Sequence, residues 1–220
     1  MEIVSIHRAQ VFQRFVPDEV RPEQDIYLPR LYELAREKYG FINASDITKA
    51  SAEGVKFQGG KVVCEGREIA VESMSVHSDG IIVACRSTSD GDLVVDDAVE
   101  WGISFWGWRR PKTIIPRVYT SWIIVDFHSS TSTLFRNFAK LQKLIADAHE
   151  EAGGARLDFE VAKLSIAADP KSLPQFTNTE YLIDRRQDTP FSQNRFFCSA
   201  PLRTDAHLRL LEKLERLLAA

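Results

Sequence analysis

Three features of the chain predict an α+β fold built on a largely antiparallel sheet. From Val55 to Ser87, apolar residues recur at every second position between glycine-bearing turns, the pattern of antiparallel strands with one face buried. Further strand-like runs fall near 118–127, 157–166, 180–184 and 194–199. Helical spacing appears near 91–107, 132–152 and 204–218. Strands come first and helices are interspersed late, so these helices are expected to cover the sheet.

Glu2 to Phe15 alternates loosely and predicts a strand, which Pro17, Pro22 and Pro29 bring to an end. Leu31, Leu34, Ala35 and Lys38 step at helical spacing, with Gly40 as the stop. Residues 1–50 read as an N-terminal strand-and-helix extension of a single domain spanning 1–220, and Asn43 to Gly54 as a loop. Val55–Gln58 and Lys61–Cys64 flank Gly59-Gly60 and predict a hairpin. With the hairpin around Ser78-Asp79-Gly80, this makes a four-strand meander. Asp90 is the expected cap of a helix running to Trp108, since Pro111 and Pro116 forbid continuation. Val118 to Phe127 is the strongest single strand. Leu134, Phe138, Leu141, Ile145 and Ala148 mark the clearest helix, ended by Gly153-Gly154. Leu157, Phe159 and Val161 suggest a strand, with Leu164 and Ile166 out of phase. Thr204 opens a last helix with Leu208, Leu211, Leu214, Leu217 and Leu218, and Glu212–Arg216 as an outer pair.

The 220 residues are 44% hydrophobic and 27% charged, with 28 basic and 31 acidic side chains. A net charge of −3 gives no electrostatic case for nucleic acid. No apolar run approaches a membrane span, and the start MEIVSIHRAQ lacks the apolar core of a signal peptide. Three widely spaced cysteines, Cys64, Cys85 and Cys198, read as reduced, dispensable thiols in a cytoplasm. CxxC, HExxH, GxGxxG, GxSxG and the P-loop are all absent. The five histidines lack ligand spacing, so neither a metal nor a cofactor is expected. Asp158 and Glu160 would share one side of a strand. Lys163, three residues beyond Glu160, would fall on the other, against a metal-dependent nuclease.

Two places could carry function. The first is the strand-to-helix turn with Asp126, His128, Ser129, Ser130, Ser132 and Arg136. A helix start with free N–H groups suits a phosphorylated or other anionic ligand, although a simple helix cap uses the same residues. The second is the run Trp101 to Trp122, which holds all four tryptophans. Buried rings are expected there, Trp122 in the core, with Arg109 and Arg110 at the rim beside Trp106 and Trp108. Leucines on the last helix cover more than one stripe, leaving Leu210 and Leu217 for another segment or another chain. The resulting expectation is a non-catalytic binding or assembly subunit acting through a protein partner or self-association. An enzyme or binding protein for a small anionic ligand at 126–136 is the alternative.

Overall fold

The computed structural model describes residues 1–21, 27–45, 54–131, 138–152, 154–169 and 179–219. Its strands are β1 (Glu2–Arg14), β2 (Asn43–Ala44), β3 (Val55–Cys64), β4 (Arg67–His77), β5 (Gly80–Cys85), β6 (Val118–Asp126), β7 (Lys163–Ile166), β8 (Tyr181–Arg185) and β9 (Arg195–Ala200). Its helices are α1 (Pro17–Val20), α2 (Leu28–Tyr39), α3 (Thr88–Trp106), α4 (Ala139–Glu151) and α5 (Thr204–Ala219). The strands form one sheet in the order β2-β3-β4-β5-β1-β6-β9-β8-β7, and every pairing is antiparallel.

α2, α3 and α5 all lie on one face. Val11 of β1 and Ile81, Val83 and Cys85 of β5 pack with Leu31, Ala35 and Tyr39 of α2 and with Val94, Val95 and Ala98 of α3. Ile123, Val125, Phe196 and Cys198 pack under Leu211 and Leu218 of α5. β6 joins these two clusters. Tyr119, opposite Val11, touches the first, and Ile123 and Val125, on the same side by the two-residue period, belong to the second. The starts of α3 and α5 are tied reciprocally. The Thr88 N–H donates to Thr204 Oγ1 and the Thr204 N–H to Thr88 Oγ1, both at 3.0 Å and both buried. Each side chain thus satisfies an N–H at the start of the other helix.

Several expectations change. Gly59-Gly60 is not a turn: β3 runs through it, and both of its halves pair with β4, Gln58 opposite Ser73 and Gly60 opposite Val71. Gly59 has φ 67°, and the buried positions slip there from Val55 and Phe57 to Val62 and Cys64. A Cβ on Gly60 would come within 2.5 Å of the Phe41 ring. The two glycines therefore bend a strand and admit a neighbour, and the meander has three strands. α3 begins at Thr88, not near 91. Ser87 is its cap, accepting from the Asp90 N–H at 3.1 Å and donating to the Asp90 carboxylate at 2.8 Å.

The strand expected over 157–166 is only Lys163–Ile166, so it begins where the apolar phase slips. The helix expected over 132–152 is described from Ala139 to Glu151, and its residues 132–137 lie outside the described ones. Instead of covering the sheet, α4 buries only Ala146 and leaves Leu141, Leu144 and Ile145 exposed. α2 contributes fully to the first core cluster.

The other sheet face carries no helix among the described residues. Residues opposite one another share a face, so the pairings place Phe12, Ile82 and Val118 there, together with Trp122, Leu182, Ile124 and Phe197. All seven are half-buried. Trp122 is therefore not a core residue. Ser121, Ile123 and Val125 take the helix-covered side of β6, and Trp122 projects the other way, with the Arg8 guanidinium 6.0 Å from its ring centroid.

Candidate functional sites

The turn after β6 is largely satisfied from within the chain. Both oxygens of Asp126 accept from Arg195 at 2.7 Å, and these bonds hold the Asp126 carboxyl below its usual range. His128 Nδ1 lies 3.0 Å from the amine of Met1. The Ser129 N–H donates to Glu215 of α5 at 2.9 Å, so a carboxylate of the protein already takes a donor that an anion would use. Ser130, next to the buried Thr131, is exposed. Ser132 and Arg136 lie outside the described residues.

Arg185 has no local sequence signal, since it stands among the charged residues Asp184, Arg186 and Asp188. It ends β8 and its side chain is 3% exposed. It lies 4.8 Å from the Phe191 ring centroid and 4.6 Å from that of Phe196. It donates to the Phe191 carbonyl, to Thr131 Oγ1 and, at 2.5 Å, to Glu160. Asp158 and Glu160 are not on a strand, and Glu160 is paired with this guanidinium, so the one-face geometry of a nuclease site is not formed. Among the described residues no three His, Cys, Asp or Glu side chains come together as metal ligands.

The tryptophan–arginine segment is mostly part of the first core. Trp101 is buried, with Tyr39 at 5.6 Å and Trp106 at 5.4 Å, both edge-on. Trp106 and Trp108 pack half-buried against the same cluster. Gly102 leaves room for the Trp108 ring, which would lie 2.4 Å from a Cβ there. Arg109 and Arg110 are exposed and already engaged: Arg109 donates to the Arg21 carbonyl, and Arg110 makes two bonds to Glu100. On α5, Leu210 is 39% and Leu217 60% exposed. The two candidate surfaces do not meet. α5 starts beside Thr88, whereas Trp106 lies at the far end of α3, roughly 28 Å along a helix of this length.

Ser121 and His207 come together from positions 86 residues apart, with Oγ and Nδ1 separated by 2.7 Å. This is the spacing of a nucleophile and its base, but Ser121 is fully buried and no described carboxylate orients the ring. Burial lowers the imidazole pKa from 6.5 to about 4. The unfolded chain therefore binds this proton more strongly, and stability should fall as pH drops from 6.5 toward 4. The urea midpoint is expected to decline across that window, with a shallower decline in His207→Phe. An identical decline in the variant would assign it elsewhere. Asp126 acts lower, since a depressed carboxyl loses its contribution only below its ordinary 3.8.

The three cysteines are free and buried. Burial pushes the thiols of Cys85 and Cys198 up to about 12 and raises that of Cys64, which disfavours the nucleophilic thiolate at neutral pH. No helix among the described residues is long and apolar enough to cross a membrane. Compared with protein-family models, with curated proteins and with solved structures, the chain shows no significant match.

Proposed function

We propose that this chain is a non-catalytic, cytoplasmic assembly subunit that associates with a second copy of itself through the helix-free face of its sheet. The observation that carries this reading is the row of large apolar side chains on that face, Phe12, Ile82, Val118, Trp122, Ile124, Phe197 and Leu182. A solvated antiparallel face ordinarily alternates to polar residues, and contiguous apolar surface marks contact sites. Three arginines on this face are paired within the chain, Arg8 with Glu72, Arg14 with Asp79 and Arg195 with Asp126, and Lys163 stands opposite Asp184. These pairings reduce like-charge repulsion between two copies brought face to face. Nine strands about 4.8 Å apart and ~20 Å long offer roughly 800 Å², the share each partner contributes to a stable interface.

The anionic-ligand alternative has less support, because Arg195 and Glu215 already occupy groups such a ligand would need. Sedimentation equilibrium at rising concentration tests the assembly reading. The wild type is expected to exceed the monomer mass of 25.0 kDa. Trp122→Asp changes a half-buried side chain outside both core clusters and is expected to weaken association about thirtyfold or more. A wild type that stays monomeric at several hundred micromolar would overturn the reading.

A further inference from the structure

The helix-covered side holds a cavity that the assembly reading does not use. α5 lies over β6 and β9, and beyond it toward β8 and β7 an apolar cleft of about 360 Å³ remains, bounded by Ile166, Tyr181, Ile183, Leu202, Leu210 and Leu214. This falls within the range of small-molecule sites. At ~30 Å³ per water-sized group it holds about a dozen heavy atoms. Among the described residues no Asp, Glu, Lys or Arg lines it, so a charged ligand would meet no counter-charge from them.

One wall is His207, whose ring has one hydrogen bond among the described residues, between Nδ1 and Ser121 Oγ at 2.7 Å. Ser121 is fully buried, and this is its side chain's one partner among the described residues. If Nδ1 carried the proton, the serine hydroxyl hydrogen would be left without an acceptor. The satisfied arrangement has the serine O–H donating to Nδ1, which puts the imidazole proton on Nε2 as a free donor. The excess leucines of α5 fit the same picture. Leu210 and Leu214 bound the cleft, while Leu211 and Leu218 fill the core.

We propose that this cleft binds a small, uncharged, mostly apolar molecule carrying one hydrogen-bond acceptor, of the class of a medium-chain ketone or ester. The body occupies the leucine and isoleucine walls, and the acceptor oxygen takes the free imidazole N–H of His207.

The test is calorimetric titration of the purified full chain at pH 7 with 2-nonanone and, separately, with nonanoate. The ketone is expected to bind and the carboxylate to bind at least tenfold more weakly. Leu210→Trp and Ile166→Trp alter partly exposed wall positions and should each reduce ketone binding at least tenfold, with circular dichroism unchanged. If one of them fails to fold, the other carries the comparison. Absence of ketone binding, equal affinity for nonanoate, or undiminished binding by a folded tryptophan variant would overturn the proposal. Neither substitution lies on the helix-free face, so sedimentation of the same variants reports on self-association separately.

Discussion

Replacing Arg185 with alanine is expected to lower the unfolding free energy by about 3 kcal/mol, near the lower end for breaking a buried ion pair. Three contributions are lost together. The guanidinium lies against the rings of Phe191 and Phe196, where desolvation strengthens the attraction of a cation for an aromatic face. Its N–H groups satisfy the Phe191 carbonyl and the buried Thr131 hydroxyl. Truncation also leaves a void beside Phe196, which is 1% exposed. The cost stays near the lower end because Glu160 is 42% exposed and can turn to water once unpaired. Arg186 provides the contrast. Its pair with Asp188 is exposed on both sides, so Arg186→Ala should change stability by no more than about 0.5 kcal/mol. Urea unfolding of the two variants checks this, and equal effects would refute the buried role of Arg185.

Tyr39→Ala should cost about 3–5 kcal/mol, the range for truncating a large buried ring. Tyr39 closes α2, is fully buried, and meets Phe41 at 5.4 Å and Trp101 at 5.6 Å. Its hydroxyl donates to Asp97 of α3 at 2.7 Å, which raises the phenol pKa in addition to the larger effect of burial. Tyr39→Phe keeps the ring and loses that bond, while Lys38 remains 2.9 Å from the same carboxylate, so about 1 kcal/mol is expected. In both variants tryptophan emission and far-ultraviolet circular dichroism should report one coincident transition. A separate early transition would mean that residues 1–50 unfold as an independent extension.

These two residues show what local pattern can and cannot reveal. β1, β6, α2 and α5 were legible because proline, glycine and a sustained period punctuate them. Arg185 was not, because the charges beside it in sequence are solvated and the rings around it come from Phe191 and Phe196, across a turn and on the next strand. Gly59-Gly60 misled because a tight turn and a strand bend both require residues without side chains. The β6 run is apolar at consecutive positions, so alternation could not say which face the helices would cover, and Trp122 was assigned to the wrong one. The Ser121–His207 contact joins distant elements and has no local signal. Of the anion-site candidates, Asp126 is paired with Arg195 and His128 lies against the Met1 amine, contacts between segments far apart in sequence.

The place of β1 at the middle of the sheet sets an order of assembly during synthesis. Its first half pairs with β6, with Arg8 opposite Trp122, more than a hundred residues later. Its second half can pair sooner with β5, and β3, β4 and β5 close through short turns. A nascent chain can therefore complete the meander and take up the end of β1 while residues 2–8 still lack a partner. Bulges between Ile3 and Ser5 and between Ile6 and Arg8 interrupt that stretch, which makes it a poor template for a stray strand during the wait. The first half of β1 thus waits for β6, and β6 in turn waits for β9; contacts of this span place the chain among slow folders.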